Sequence, residues 1–269
     1  MDPDCNNIRG RSMATNYQHR FIDGNSYVDV KALKHLWALF VILGLIVVSV
    51  AAGQHVPYET EKVPTIECKW ASRSPVIDGR LDDLCWEEAN WVGGFDLEDI
   101  GGLPRYDTKV LAIYDEENLY IAFICYDDMN NLSEDLHLRR DGFVWRDDCV
   151  EVFMDVDHDH YDYYHIITNR SCVRYDEIGK IRPKSWDSDW RVGVGYASDF
   201  WTVEIAVPFK DLRPPSYSMP SPTPIPGETW GINFCREHHR VLEYSSWTQS
   251  HRTFHQPRNF GHIVFMPFL

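Results

Sequence analysis

Between Thr108 and Tyr126 the chain reads TKVLAIY-DEE-NLYIAFICY, two apolar bursts broken by an acidic turn at Asp115–Asn118. Alternation along the second burst puts Leu119, Ile121, Phe123 and Cys125 on one face, and Tyr120, Ala122, Ile124 and Tyr126 on the other. Both faces are apolar, which predicts a central strand covered on both sides. DCVEVFMDV alternates differently, with Val150, Val152 and Met154 on one face and Cys149, Glu151 and Phe153 on the other. In FWTVEIAVP, Trp201, Val203, Ile205 and Val207 oppose Thr202 and Glu204, the pattern of a half-buried strand. It pairs with RVGVGYA through a turn near Ser198-Asp199. DYYHIITN, TWGINFCR and HIVFMPF complete the strands. VIDGRLDD carries a D-G turn. DDLCWEEANW is the one fair helical candidate, with Leu84, Trp86 and Ala89 available to a single face. RPPSYSMPSPTPIPGE reads as a loop outside the sheets, because proline cannot donate to a ladder. Many short strands and Gly/Pro turns predict an all-β fold, a jelly-roll-like β-sandwich, over residues 63–269.

One run departs from this pattern. KALKHLWALFVILGLIVVSVAAGQ places Lys31 and Lys34 ahead of an uncharged stretch that ends in small residues. That is the layout of a secretory signal, and the stretch is also at the short limit for a membrane-spanning helix. The expected organisation is a polar tail over 1–34, a signal peptide or transmembrane anchor helix over 35–53, a linker over 54–62, and then the β domain. Lys31 and Lys34 keep the N-terminus inside. The domain is expected to be exported, whether secreted, periplasmic or anchored at the cell surface. It touches a membrane only through that helix, if the helix is retained.

Charge narrows the partners further. The 269 residues carry a net charge of −15, which repels nucleic acid and anionic membranes and suits neutral ligands or cations. Six of the seven cysteines follow the apolar run, none in a C-x-x-C spacing. Cys125, Cys149 and Cys235 lie in strand-like runs and read as small core residues, so at most one disulfide is expected.

Six pieces, in this order and spacing, carry a resemblance: IDGRLDDLCWEEANW, YDEENLYIAFICYDD, WRDDCVEVFMD, WTVEIAVPFKDL, GETWGINFCR, and SSW with FHQPRNFGHIVF. Together they resemble carbohydrate-binding module family 9 and the DOMON-like sugar-binding domains. The resemblance implies a β-sandwich that binds sugars between two tryptophans and often holds structural calcium. It also implies an oligo- or polysaccharide partner, and a separate polysaccharide-degrading enzyme nearby. Residue by residue it implies Trp145 as a stacking ring, Glu151 as a hydroxyl-binding carboxylate and Trp247 as the second ring. Arg174 or Arg170 supplies a guanidinium, and Asn169 an amide.

Geometry makes a demand on this reading. On one straight strand Trp145 and Glu151 would stand roughly 20 Å apart at about 3.3 Å per residue. They share a site only if GFVWRD folds back over the strand that carries Glu151. The pattern also departs before Trp247, where Tyr244 and Ser245 stand in place of an expected asparagine. Each residue has an ordinary alternative: Trp145 as a partly buried aromatic, Glu151 as a carboxylate paired with Arg174 or Arg236, and Trp247 as core. Trp86, Trp201 and Trp230 read as core.

Other chemistries leave weaker traces. Asp155, Asp157 and Asp159 open like an EF-hand loop, but His160 and Ile166 replace its glycine and glutamate. A calcium site completed by backbone carbonyls and a solvated acidic turn both remain open. The histidines have no zinc-ligand spacing and read as scattered surface residues. A haem-binding electron-transfer domain would use Met154 with His165 or His158. A glycoside hydrolase would need two opposed carboxylates, and with 41 acidic residues some pair meets that by chance. No G-x-S-x-G, H-E-x-x-H or P-loop occurs, so the expectation is a non-catalytic module.

Overall fold

The computed structural model describes residues 63–179, 186–212 and 223–268. The tail, the apolar run, the linker and most of the proline-rich stretch lie outside the described residues.

The strands in chain order are β1 (Thr65–Trp70), β2 (Trp91–Val92), β3 (Asp96–Leu97), β4 (Thr108–Tyr114), β5 (Asn118–Tyr126), β6 (Cys149–Asp155), β7 (Tyr163–Asn169), β8 (Arg174–Gly179), β9 (Arg191–Tyr196), β10 (Phe200–Pro208), β11 (Thr229–His238), β12 (Glu243–Ser246) and β13 (Gly261–Phe265). Their order is β8-β7-β6-β11-β13-β1-β4-β5-β10-β9. One sheet runs from β8 to β1 and the other from β1 to β9. Strand β1 belongs to both: Thr65–Cys68 pair with β13, and Lys69 and Trp70 with β4. The all-β expectation holds, and the shared strand joins the two sheets into a nearly closed wrap.

The predicted face assignments place the core. Val150, Val152 and Met154 of β6 pack with Leu119, Ile121, Phe123 and Cys125 of β5 and with Trp201, Val203, Ile205 and Val207 of β10. Trp201 and Trp230 lie in this interior cluster, while Trp86 is buried on the far side of β5 with Tyr120 and Ala122. Cys125, Cys149 and Cys235 are buried thiols, and the described cysteines are all free.

Two expectations need correction. The helix α1 spans only Leu84–Glu87, and Leu84 is exposed while Trp86 is buried. The reason is that Trp86 is held from the sheet, its Nε1 donating to Glu204 Oε1 at 2.8 Å. Strand β10 is buried on both faces, because the turn at Asp78-Gly79 covers Thr202 and Glu204.

Candidate functional site

The outer face of the first sheet, turned away from the interior cluster, carries an unusual set of polar residues. Registers fix which side chains share it: Glu151 opposes Ile167, Phe153 opposes His165, His165 opposes Glu177, and Glu237 opposes Cys149. Between β5 and β6 the chain makes a single 3-10 turn at Val144–Arg146. Asp147 fixes its exit by accepting the backbone N–H groups of Leu136 and His137, and the amide of Asn169. His239 Nε2 lies 2.8 Å from the Trp145 carbonyl oxygen. GFVWRD therefore folds back over the sheet, as joint use of Trp145 and Glu151 requires.

The result is an open cavity of about 340 Å³, lined among others by Glu98, Trp145, Glu151, Tyr175, Glu237 and Phe254. Trp145 is half-buried. Its ring stands edge-on to Tyr175 on one side and Phe143 on the other. Glu151 is buried, and its partner is neither Arg174 nor Arg236 but His165, whose Nε2 lies 2.7 Å from Oε2. His165 Nδ1 faces Glu177 at 3.3 Å. His165 is thus a buried ring between two carboxylates, which corrects the surface reading of this histidine. Burial alone would lower the imidazole, but the bonds and charges of Glu151 and Glu177 outweigh it and raise the group. Burial, with the Glu151 charge added, pushes both Glu98 and Glu237 up to about 7.

The other expected residues lie elsewhere. Trp247 is 8% exposed and packs on Phe234 in the interior cluster, with ring centroids 5.4 Å apart. Its backbone N–H donates to the Phe234 carbonyl, so it follows the inward-facing parity, opposite to Glu151. The part of it that is exposed lines a separate cavity with Asp96, His251 and Arg258. Trp145 and Trp247 therefore do not face each other across one slot. Arg174 alternates with Tyr175 on β8 and so projects from the other face of the sheet, donating to the Trp190 carbonyl and lying over that ring. Asn169 is fully buried, with Nδ2 donating to Asp147 and the His137 carbonyl and Oδ1 accepting from Ser171 and Val173. Arg170 is buried against Ser133 and Asp135.

Sequence reasoning did not find Glu98, Tyr175, Glu177, Glu237 or His255. Strand parity relative to Glu151 and Cys149 could have picked out Glu237 and Glu177, once the pairing was known. Of the two haem pairs, Met154 with His165 separates, because Met154 is fully buried in the interior cluster while His165 is on the outer face.

The comparisons with known proteins agree with this architecture. Residues 77–266 match the family described as "Carbohydrate family 9 binding domain-like". The chain belongs to this family. It is 25% identical over 192 residues to endo-1,4-beta-xylanase A of Thermotoga neapolitana, covering 71% of this chain but only 17% of that enzyme. A family 9 carbohydrate-binding module from Caldicellulosiruptor kristjanssonii, solved with cellotriose, superposes with a TM-score of 0.56 at 20% identity. That match covers 77% of this chain and 95% of the module. A putative carbohydrate-binding protein from Bacteroides uniformis superposes at 0.61 with 16% identity, covering 76% and 99%. At these identities the solved structures speak to the fold alone.

Proposed function

We propose that this domain is a non-catalytic saccharide receptor whose site is the cavity on the outer face of the first sheet. The observation that carries the reading is that Trp145, half-buried, lines the same cavity as the buried Glu151. A sugar presents an apolar C–H face and a rim of hydroxyls, so it needs an aromatic wall and fixed polar groups. Trp145 supplies the wall. Glu151, Glu98 and Glu237 supply acceptors. The volume is at the lower end for small-molecule sites, about 300–1,000 Å³, and suits one or two sugar units at a chain end. The apolar run over 35–53 would export the domain. Out of the cell its partner is a poly- or oligosaccharide, beside a separate polysaccharide-degrading enzyme.

Isothermal titration with glucose, cellobiose and xylo-oligosaccharides tests the proposal. Heat of binding to at least one sugar is expected, with affinity lowered about 30-fold by Trp145→Ala. No heat with any of them, or unchanged affinity in the variant, overturns it.

Structural calcium is a second element. Asp155, Asp157 and Asp159 bring one carboxylate oxygen each within 4.8 Å of one another. Asp155 already caps the loop by accepting the N–H groups of Asp159 and His160. The buried Oδ1 of Asp162 has no hydrogen-bond partner there. These hard oxygens fit a calcium ion, which would neutralise a carboxyl that burial and its neighbours push up to about 6 at Asp155. A rise in melting temperature with added calcium, reversed by chelator, is expected. No response would remove calcium from the proposal.

A further inference from the structure

Part of the cavity wall has a chemistry that hydroxyl recognition does not need. His165, Glu177 and His255 each bring one potential ligand atom within 4.8 Å of the others. Two of these atoms already have metal-site spacing. His165 Nδ1 and Glu177 Oε1 are 3.3 Å apart, and bonds of about 2.0–2.1 Å to a tetrahedral zinc place ligand atoms roughly 3.3 Å apart. The third ligand, His255, is on an exposed loop residue that can close the remaining gap.

Each member is also held from behind. Glu151 Oε2 lies 2.7 Å from His165 Nε2. The Tyr175 hydroxyl donates to Glu177 Oε2 at 2.6 Å. The Tyr163 hydroxyl lies 2.7 Å from His255 Nδ1. Such outer partners fix ring orientation and raise ligand basicity, and true metal sites depend on them. They leave Nδ1 of His165 and Oε1 of Glu177 turned to a shared position, with a ring nitrogen of His255 as the third ligand atom. Tyr163 can reach its position because its ring sits against Gly179, where a Cβ would come within 2.2 Å of it.

The surrounding groups can answer to a cation, since Glu151 lines the same cavity and Glu98 and Glu237 there can release their protons when one binds; Arg252, which also lines the cavity, is exposed. A contrasting cluster shows the alternative outcome. Asp127, Asp148 and His238 are equally close to one another, but the guanidinium groups of Arg236 and Arg240 already bind Asp127. That cluster is filled by protein cations.

We propose that His165, Glu177 and His255 form a binding site for a divalent first-row transition ion, with Zn²⁺ as the reference ion and a fourth coordination position open to the cavity. Two imidazoles with one carboxylate favour such an ion over calcium, which takes oxygen ligands. The proposal goes beyond the saccharide reading and does not rest on it.

The test is calorimetric titration of Zn²⁺ into the chelator-stripped full chain, beside His255→Ala, Glu177→Gln and Tyr163→Phe. His255 is exposed but bonded to Tyr163, so its alanine variant should stay folded with at most a small drop in melting temperature. Saturable binding by the parent is expected, weakened at least tenfold in His255→Ala and Glu177→Gln and about tenfold in Tyr163→Phe. Cobalt substitution should give a visible d–d absorption that His255→Ala loses. No zinc heat in the parent, or equal affinity in His255→Ala, overturns the proposal. Sugar titrations on the same stripped protein separate the two readings. Sugar heat without zinc binding sinks the metal site alone, and zinc binding without sugar heat sinks the saccharide site alone.

Discussion

The ring of Trp145 stands edge-on to that of Tyr175, with centroids 5.2 Å apart and planes at 78°. One ring comes from the 3-10 turn before β6 and the other from β8, so the sheet edge and the loop are locked together at the mouth of the cavity. This geometry leaves part of the Trp145 ring exposed while fixing its tilt. Trp145→Ala is expected to lower sugar affinity about 30-fold, the roughly 2 kcal/mol typical of an interface hot spot. Its melting temperature should change little. Trp247→Ala is expected to do the reverse: it opens a core cavity costing about 3–5 kcal/mol, while sugar affinity per folded molecule stays within threefold. Calorimetry with thermal melts on both variants checks the contrast.

Asp127 makes the second prediction. Its carboxylate is fully buried and accepts bonds from Arg236, His238 and Arg240, each at 3.1 Å. Burial alone would raise this group, but the His238 bond and the His238 and Arg236 charges hold it far below the usual carboxylate range. A depressed folded value means that the stabilisation is fully present above the ordinary aspartate range near pH 4 and is lost as the pH falls below it. Asp127→Asn leaves Arg236 buried without its counter-charge. It should cost about 3–5 kcal/mol at pH 7, and should flatten the fall of stability with acid. Urea melts from pH 3 to pH 7 decide this. Equal acid slopes in the two proteins would mean that the network does not carry the linkage.

Strand parity made much of the framework legible. Leu119 to Cys125, Val150 to Met154 and Trp201 to Val207 fall on the faces their alternation indicates, because register on a buried sheet is strongly specified. The Trp145–Glu151 pair was legible only through family resemblance. Its physical basis is a loop reversal set by Asp147, and a reversal has no periodic signature. Trp247 shows the opposite limit, since the sequence leaves it open between a second sugar ring and a core residue until the pairing of β12 with β11 turns it inward. Glu177 and Glu237 had no local mark at all. Their meaning comes from strands distant in sequence that meet on one face.

Glu204 explains why IDGRLDDLCWEEANW is a recognisable piece. Its carboxylate is completely buried and accepts from the Asp78 and Gly79 backbone and from Trp86 Nε1. Gly79 has φ +86°, and a Cβ there would meet the Val194 backbone at 2.2 Å. Glu204→Ala strands two buried donors and one partly buried donor and is expected to cost about 3 kcal/mol or more. Gly79→Ala should be destabilising through both strain and clash. Because this anchor lies on the second sheet, sugar and zinc affinity of the folded fraction should remain unchanged. Altered affinity at full folding would show that the anchor communicates with the cavity.

The last prediction concerns neutral pH. Glu237 faces a cavity that already holds Glu151 and Glu98. Burial and the Glu151 charge raise its carboxyl to about 7, although His239 bonds it at 2.9 Å. A raised folded value means that the proton is held more tightly in the folded chain than in the unfolded one. The resulting stabilisation is complete below the ordinary glutamate range and is lost as the pH rises through about 7. His239 adds in the same direction: its bond to Glu237, acting against burial, raises the imidazole, so its contribution also fades on the alkaline side. Stability of the ligand-free protein should therefore fall between pH 5 and pH 8, by about 1–3 kcal/mol from this pair. Glu237→Gln keeps an acceptor for His239 and removes the charge, so it should flatten that slope and be the more stable protein at pH 8. Denaturant midpoints at pH 5, 6, 7 and 8 measure it directly. A parent slope that Glu237→Gln leaves intact would place the responsible proton elsewhere, and Glu98→Gln is then the variant to measure, because Glu98 is raised to the same range by burial and by the charges of Asp99 and Glu151.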